Sequence, residues 1–278
     1  MKAAKFDCER PADLDGALRL LEGGGDVYAK VLAGGQSLGP MLNLRLAQPG
    51  LLVDITRIPE LTRVEDDGEA LVLGACVTHA MIEDGKVPDV TGGALPSVAS
   101  AIAYRGVRNR GTIGGSVAHA DPAADWPTAL SAIGAEAVVR APSGSRTVAV
   151  SEFILGVFET VMGEDEILEA IRIPKLSAGA RWGYYKVCRK PGEFADAIGA
   201  VLVDVERSVY RLTIGATNAK PITIADAREA LGGDGVLGAF FDLDAARCLV
   251  DDADTNLDDM ERHIHAVALK RAVEQVAR

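Results

Sequence analysis

Ala33-Gly34-Gly35-Gln36-Ser37 directly follows an apolar run, residues 27–32, that predicts a buried strand. A second glycine pair comes about eighty residues later, in Thr112-Ile113-Gly114-Gly115-Ser116. Glycine pairs let a backbone approach a ligand where any Cβ would collide, and their N–H groups can then face phosphate oxygens. Two such loops far apart in sequence predict one extended ligand held from two sides. A dinucleotide such as FAD has that length and a charged middle.

Neither glycine pair is specific by itself, since such pairs are common in turns and the second lacks GxGxxG spacing. Downstream, Asp121-Pro122 predicts a helix start with Asp121 as the N-cap, which would place the loop beside the positive end of a helix. Alternatively, Asp121 only caps the helix and does not contact the ligand. The arginines upstream, Arg105, Arg108 and Arg110, either assist a diphosphate or form a solvated helix end.

The composition is that of a globular protein with an acidic surface. Of the 278 residues, 48% are hydrophobic and 25% charged, which excludes a disordered chain and allows two domains. The 40 acidic and 29 basic side chains give a formal net charge of −11. This balance argues against a nucleic-acid groove, which needs clustered Lys and Arg, but not against one diphosphate bound by backbone donors.

The sequence contains no pattern typical of a metal centre or an export signal. The four cysteines include no CxxC pair and the four histidines are scattered, so any redox metal is expected in another chain. The amino terminus lacks a signal-peptide core, and no segment reaches the roughly 20 apolar residues of a membrane span. We therefore expect free thiols and a cytoplasmic protein.

Two kinds of region follow each other along the chain. Strand-like and helical patterns alternate up to residue 173, and a linker at 174–180 precedes three successive strands and then helices. This order predicts an α+β fold. The predicted strands are 27–32, 51–55, 71–77, 137–140, 167–173, 182–189, 197–206 and 209–217, and the predicted helices 14–21, 90–104, 126–133, 224–231, 244–249 and 260–276. The triple glycine at 23–25 is interpreted as the end of the first helix.

Three segments together resemble one family. They are AGGQSLGPMLNLRLAQP at 33–49, RNRGTIGGSVAHADPAADWPTAL at 108–130 and WGYYKVCRK at 182–190. The chain resembles the FAD-binding medium subunit of the molybdenum hydroxylases, the family of xanthine dehydrogenase and aerobic carbon monoxide dehydrogenase. The resemblance runs from Phe6 to Glu274. The two glycine loops together are more selective than either one alone.

The resemblance implies a fold and a division into domains. Residues 1–176 would form an FAD-binding domain of the vanillyl-alcohol oxidase and cresol methylhydroxylase type. Its two α/β subdomains, at about 1–58 and 59–176, would hold the cofactor in the cleft between them. Residues 177–278 would form a C-terminal domain with a three-stranded antiparallel sheet and helices. FAD is expected to bind without a covalent link, so His119 would not tether it.

The resemblance also assigns cofactor contacts to residues of this chain. The loop 31–38 would line the diphosphate with backbone N–H groups, and the loop 112–116 would face it from the other side. The full expected set is Val31, Leu32, Ala33, Gly34, Gly35, Gln36, Ser37, Leu38, Ile102, Thr112, Ile113, Gly114, Gly115, Ser116, Asp121, Asp125, Val161 and Lys186. No catalytic residue and no metal ligand is expected in this chain.

Several of these residues also have a purely structural explanation. Asp125 would be the acidic contact downstream of the second loop, and Lys186 would approach the flavin from above, yet a lysine on a strand is usually solvated. Ile102 and Val161 would be core residues in any fold. Phe194 either covers the flavin or packs between the domains.

The resemblance implies an electron-transfer subunit of an oxidoreductase complex, arranged as a dimer of heterotrimers. A large molybdopterin subunit would hydroxylate the substrate, and a small subunit with [2Fe–2S] clusters would relay electrons to FAD and on to NAD, a quinone or another acceptor. Gln36 stands where carbon monoxide dehydrogenase medium chains commonly carry His, which disfavours carbon monoxide as the substrate. A stand-alone FAD oxidase or reductase and a flavin-free scaffold subunit are the alternatives.

Overall fold

A three-stranded parallel sheet opens the chain in the computed structural model, which describes residues 2–22, 28–233, 235–253 and 256–277. The predicted helix end at 23–25 lies outside the described residues. The sheet has the order β1-β3-β2. Its elements are β1 (Asp7–Glu9), α1 (Leu14–Glu22), β2 (Ala29–Leu32), α2 (Leu38–Asn43) and β3 (Leu51–Asp54). Parallel strands need crossover connections, and α1 and α2 supply them. Leu14, Ala17 and Leu18 recur at helical spacing and bury one face of α1 against Val53.

A five-stranded sheet follows, in which every neighbouring pair is antiparallel. Its order is β4-β5-β10-β6-β7. The elements of this region are a 3-10 turn (Pro59–Leu61), β4 (Val64–Asp66), β5 (Ala70–Gly74), α3 (His79–Glu83), α4 (Ala94–Ala101), α5 (Arg105–Arg108), α6 (Ile113–His119), α7 (Asp125–Ile133), β6 (Glu136–Ala141), β7 (Gly144–Ala149), α8 (Val150–Phe153), β8 (Ile154–Gly156), β9 (Glu159–Thr160) and β10 (Ile167–Pro174). The central strand β10 is buried along most of its length, which explains its almost continuous apolar sequence.

The last sheet is antiparallel and has four strands rather than the predicted three. It comprises β11 (Arg181–Val187), β12 (Ala197–Asp204), β13 (Val209–Gly215) and β14 (Ile222–Ile224), with α9 (Leu243–Asp252) and α10 (Asp259–Val276) after it. The helix predicted over 224–231 is wrong, because its first residue ends β14 and turns follow. The β-branched run Ile222-Thr223-Ile224 suits a strand, and the Thr223 hydroxyl lies 3.1 Å from that of Thr213. α10 packs on β11 and β12 and forms a separate core with them.

Helix α7 lies between the five-stranded and the four-stranded sheets. All nine of its residues are buried, and it contacts β10 on one side and β12 and β13 on the other. A methyl group at Gly215 of β13 would overlap the Thr128 side chain, so the two elements approach as closely as a glycine allows. The predicted helix at 126–133 is confirmed, with its first residue at Asp125.

The predicted N-cap at Asp121 is wrong. The N-cap of α7 is Ala124, and residues 121–124 form a turn in which the Asp121 carboxylate accepts a hydrogen bond from the Ala123 N–H, at 2.9 Å. Such local side-chain turns compete with helix capping at Asp and Asn. Within the described ranges, none of the helices combines the length and the apolar character needed to cross a bilayer.

Candidate functional site

The first glycine loop, residues 33–37, joins β2 to α2 and presents a row of unpaired backbone donors. Across the described part of the chain, the N–H groups of these five residues donate no hydrogen bond. Gly35 is in the left-handed region at φ 71°, and the Gln36 side chain donates to the Gly34 carbonyl at 3.2 Å. Consecutive N–H groups around a left-handed residue form an anion-binding concavity. This loop therefore has the geometry expected for a phosphate site.

Gly34 is required by packing against the second glycine segment. A methyl group at this position would overlap the carbonyl group of Arg110. The two predicted loops are therefore in direct contact, although they lie far apart in the sequence. Glycine here allows the approach of one backbone to another, rather than only to a ligand.

The second glycine pair uses its N–H groups within the protein, contrary to the expectation of free donors there. Residues 112–116 form the N-cap and first turn of α6, where the Thr112 hydroxyl accepts the Gly115 N–H at 3.0 Å. The N–H groups of Ile113, Gly114 and Ser116 donate to the carbonyls of Val77, Ala75 and Thr112. The reason is that Thr112 caps the helix, and residues 75–77, which follow β5, lie against its first turn. The second loop contributes a surface without large side chains rather than a second set of open donors.

A narrow apolar cavity of about 70 Å³ lies between the two loops. The first loop contributes Ala33, the second contributes Gly114 and Gly115, and β10 begins at its far wall. The remaining lining residues are Val31, Ile55, Ala75, Ala118, Met162, Glu166, Ile167 and Leu168. Typical ligand pockets hold roughly 300 Å³ or more. The cavity therefore fits one apolar part of a larger ligand beside the loop 33–37.

Asp125 and Lys186, which lie far apart in the sequence, form a buried ion pair. The Lys186 ammonium lies 2.9 Å from Asp125 Oδ2, and the Tyr184 hydroxyl donates to Oδ1 at 2.8 Å. The Lys186 side chain is only 9% exposed, so the solvated alternative for this lysine is wrong. Alternation along β11 puts residues 184 and 186 on the same face, towards α7.

Burial dominates the protonation behaviour of this cluster. It raises the pKa of Asp125 above its ordinary value, although Lys186 and Tyr184 oppose the shift. Burial also raises the pKa of Tyr184 well above its ordinary value, and the neighbouring Asp125 carboxylate adds to the effect. The Tyr184 hydroxyl is therefore protonated and acts as a donor.

Ile102 and Val161 are half-buried against the core of the five-stranded sheet. Ile102 ends α4 and pairs with Gly192, and its carbonyl accepts from the Arg108 guanidinium at 2.9 Å. The Val161 N–H donates to the Phe153 carbonyl at 2.9 Å, so this backbone donor is not free for a ligand.

The basic patch before the second loop is largely neutralised by carboxylates. Arg105 binds Glu83 and Asp84, each at 2.7 Å, and Arg108 binds Glu83 at 2.8 Å. Arg110 is exposed. The first two guanidinium groups therefore fix the end of α5 against α3.

Phe194 and Phe158 are among the exposed aromatic side chains. Phe194 is 65% exposed, so it does not pack between the sheets. The His119 ring lies against the exposed ring of Phe158, with 4.9 Å between the centroids. Burial lowers the pKa of His119.

Sequence reasoning missed Tyr184 and most of the cavity lining. The signal for Tyr184 was its spacing of two from Lys186 on a predicted strand, which puts both on one face. Ala75 and Met162 carried no signal, because small and apolar residues of this kind occur throughout a core. Only the folded arrangement brings them beside the glycine loops.

Comparisons with known proteins agree on one family. Residues 4–176 match the family described as the FAD binding domain in molybdopterin dehydrogenase. The chain is 37% identical to the carbon monoxide dehydrogenase medium chain of Hydrogenophaga pseudoflava, over 90% of this chain and 86% of that one. It is 36% identical to the nicotine 6-hydroxylase medium subunit of Paenarthrobacter nicotinovorans, covering 84% and 82% of the two chains. The solved structure of quinoline 2-oxidoreductase from Pseudomonas putida 86 contains a chain that superposes with a TM-score of 0.86 at 29% identity, covering 100% and 98%.

Proposed function

This chain belongs to the FAD-binding medium subunits of the molybdenum hydroxylase family, and we propose that its loop 33–37 holds the diphosphate of FAD. The run of unpaired N–H groups in this loop is the observation that carries the proposal. A diphosphate presents several negatively charged acceptor oxygens. Consecutive backbone N–H groups can donate to several of them, and the positive ends of these groups face the negative charge. Such binding needs no cluster of basic side chains, in keeping with the net charge of −11.

We infer that the remaining expected contacts belong to the same cofactor site. The apolar cavity beside it takes a flat apolar part of the cofactor, with Val31, Ala33 and the second glycine pair as walls. Asp125 and Lys186 form their ion pair where α7 meets the last sheet. We infer that this pair contacts the flavin end of the cofactor. Ile102, Val161 and the turn at Asp121 complete the set as packing and backbone contacts.

As a medium subunit, the chain works in a complex with a large and a small partner. FAD, when bound, accepts electrons singly and releases them as a pair. The chain takes electrons from [2Fe–2S] clusters of the small subunit and passes them to NAD, a quinone or another acceptor. Its task is to hold the cofactor, exclude water from one face and orient it between donor and acceptor. Molybdopterin and the substrate belong to the large subunit, and the complex is a dimer of heterotrimers.

The same proposal includes the division of the chain. The three-stranded and the five-stranded sheets form two subdomains, at about 1–58 and 59–176, in the vanillyl-alcohol oxidase type of FAD-binding fold. Residues 177–278 form the C-terminal domain. Support comes from the sheet topology, in which the three-stranded, five-stranded and four-stranded sheets use separate segments of the chain.

The test is to purify the chain with its natural partners and measure FAD, molybdenum and iron. We expect FAD in equal amount to this chain, released on denaturation because it is not covalently linked. A colourless complex without flavin would favour the scaffold alternative. Turnover by this chain in the absence of its partners would favour a stand-alone oxidase or reductase.

A further inference from the structure

The buried pair of Asp125 and Lys186 includes a third group, the hydroxyl of Tyr184. The two oxygens of the Asp125 carboxylate are divided between two donors, Oδ1 for Tyr184 at 2.8 Å and Oδ2 for Lys186 at 2.9 Å. Asp125 is 5% exposed, so water does not compete for either oxygen. Both donors come from the same face of β11, whereas the acceptor belongs to α7.

Lys186 keeps donor capacity that the protein does not use. An ammonium group carries three N–H donors. Among the described residues, the Asp125 carboxylate is the acceptor that the structure gives it. A nearly buried cation with open donors is suited to an acceptor on a bound ligand.

We propose that Tyr184 is a positioning residue, which fixes the Asp125 carboxylate and thereby directs the Lys186 ammonium towards the flavin. This inference rests on the proposed function. Without the Tyr184 bond, the carboxylate can rotate about χ2 and offer Lys186 either oxygen, because this torsion has a broad energy minimum. The ammonium then loses its fixed direction while it keeps its charge.

The protonation of the cluster suits this role. Burial raises the pKa of the Tyr184 hydroxyl well above its ordinary value, so this group remains a donor to Asp125. Burial likewise raises the pKa of Asp125, so each hydrogen bond to the charged carboxylate helps to keep it ionised. Tyr184 therefore helps both to fix the orientation of the Asp125 carboxylate and to keep it ionised, and Lys186 needs both in its acceptor.

The neighbouring residue provides a matched control. Tyr185 lies on the opposite face of β11, and its hydroxyl accepts from Arg271 of α10. The Arg271 guanidinium also lies over the Tyr185 ring, 4.9 Å from its centroid. Like Tyr184→Phe, Tyr185→Phe removes one tyrosine hydroxyl from β11, but on the face of the strand that does not contact Asp125.

The experiment compares Tyr184→Phe, Tyr185→Phe and Lys186→Gln in the assembled complex. The readouts are the midpoint potential of the flavin, from a spectroscopic redox titration, and the FAD dissociation constant. A cation beside the flavin stabilises the reduced, more negative form, so Lys186→Gln should lower the potential. Tyr184→Phe should lower it by at least half as much, and Tyr185→Phe should leave it at the wild-type value.

The other outcomes overturn the inference. They are a wild-type potential in Tyr184→Phe together with a shift in Lys186→Gln, or equal shifts in Tyr184→Phe and Tyr185→Phe. If Tyr184→Phe does not assemble, Tyr184→Met, which also lacks the hydroxyl but has a more adaptable side chain, takes its place, and a wild-type potential in that variant overturns the inference. A wild-type complex without FAD would instead contradict the proposed function itself.

Discussion

Position 34 has room for a hydrogen atom and nothing larger, because the Arg110 carbonyl occupies the space where a Cβ would lie. At the residue scale, Gly34→Ala is therefore expected to displace the loop 33–37 and reduce FAD content at least tenfold. The matched control is Gly39→Ala, since nothing lies within 4 Å of a Cβ at that position in α2. FAD per chain after purification is the measurement. Equal loss in both variants, or in neither, would contradict the role given to Gly34.

The role of a single residue could be predicted from the sequence only where that role depends on neighbouring residues and not on contacts with distant segments. The glycine loops were identified from their glycine pairs, and the resemblance to a family then strengthened the assignment. Lys186 was identified because its segment resembles that family. Asp121 was assigned to the wrong cap, because an Asp-Pro pair suits both a helix start and the local turn that forms here. The free donors expected at the second glycine pair are engaged within the protein. Gly115 donates to the Thr112 hydroxyl, and Gly114 donates to the Ala75 carbonyl, a distant contact that no local pattern encodes.

At the scale of elements, a histidine connects α3 to α7. His79 is 5% exposed, and its Nδ1 accepts a hydrogen bond from the Trp126 indole N–H at 3.0 Å, which requires a neutral ring. Burial, with a smaller effect from Arg108, lowers the pKa of His79 from 6.5 to about 4. The neutral His79 ring therefore stabilises the folded state fully above about pH 6.5. This stabilisation is lost as the pH falls towards 4, because the unfolded chain binds a proton at His79 before the folded chain does.

We expect the free energy of unfolding to fall by roughly 2 kcal/mol through His79 alone between pH 7.5 and pH 5. Urea titrations at the two pH values measure it. His79→Gln should remove most of this difference, and His263→Gln, at an exposed position of α10, should retain it. A pH dependence unchanged by His79→Gln would show that another group causes it.

Helix α10 begins with a complete capping box. The Asp258 carboxylate accepts from the Met260 and Glu261 N–H groups, and the Glu261 side chain accepts from the Asp258 N–H. Asp258→Ala should lower the free energy of unfolding by about 1 kcal/mol. Asp259→Ala, one residue later and on the surface, should change it by less than about 0.5 kcal/mol. Chemical denaturation of the two variants side by side makes the comparison.

Regular elements were predicted well where one pattern was long and unbroken. The first three strands of the last sheet, β11, β12 and β13, and helix α10 are confirmed with small shifts at their ends. The short strands β1, β4, β7, β8, β9 and β14 were missed, because two to six residues carry little periodic signal. For residues 224–231 the helical period was misleading, since the chain pairs β14 with β13 before it turns.

At the scale of the whole molecule, α7 is buried between two sheets, the five-stranded and the four-stranded one. Besides its buried residues, the Arg211 guanidinium of β13 donates to the Ala132 carbonyl at 3.0 Å, and the Ala216 N–H donates to the Pro122 carbonyl at 3.1 Å. Separation of the last sheet would expose one face of α7 and break the pair of Asp125 and Lys186.

We therefore expect the cofactor-free chain to unfold in one cooperative transition rather than as two independent domains. The two tryptophans report on this junction, since Trp126 lies in α7 and Trp182 in β11. Tryptophan fluorescence and far-ultraviolet circular dichroism should give coincident denaturation curves. Two separated transitions would show that the C-terminal region folds by itself.

The FAD site proposed at residues 33–37 also predicts that the stability of this chain depends on the supply of riboflavin. A ligand that binds only the native form, at a concentration one hundred times its dissociation constant, adds about 2.7 kcal/mol to the unfolding free energy. When riboflavin is scarce, newly made chains lack that protection, and proteases remove the transiently unfolded fraction. The half-life in a pulse–chase measurement should therefore lengthen when riboflavin is restored to a starved culture.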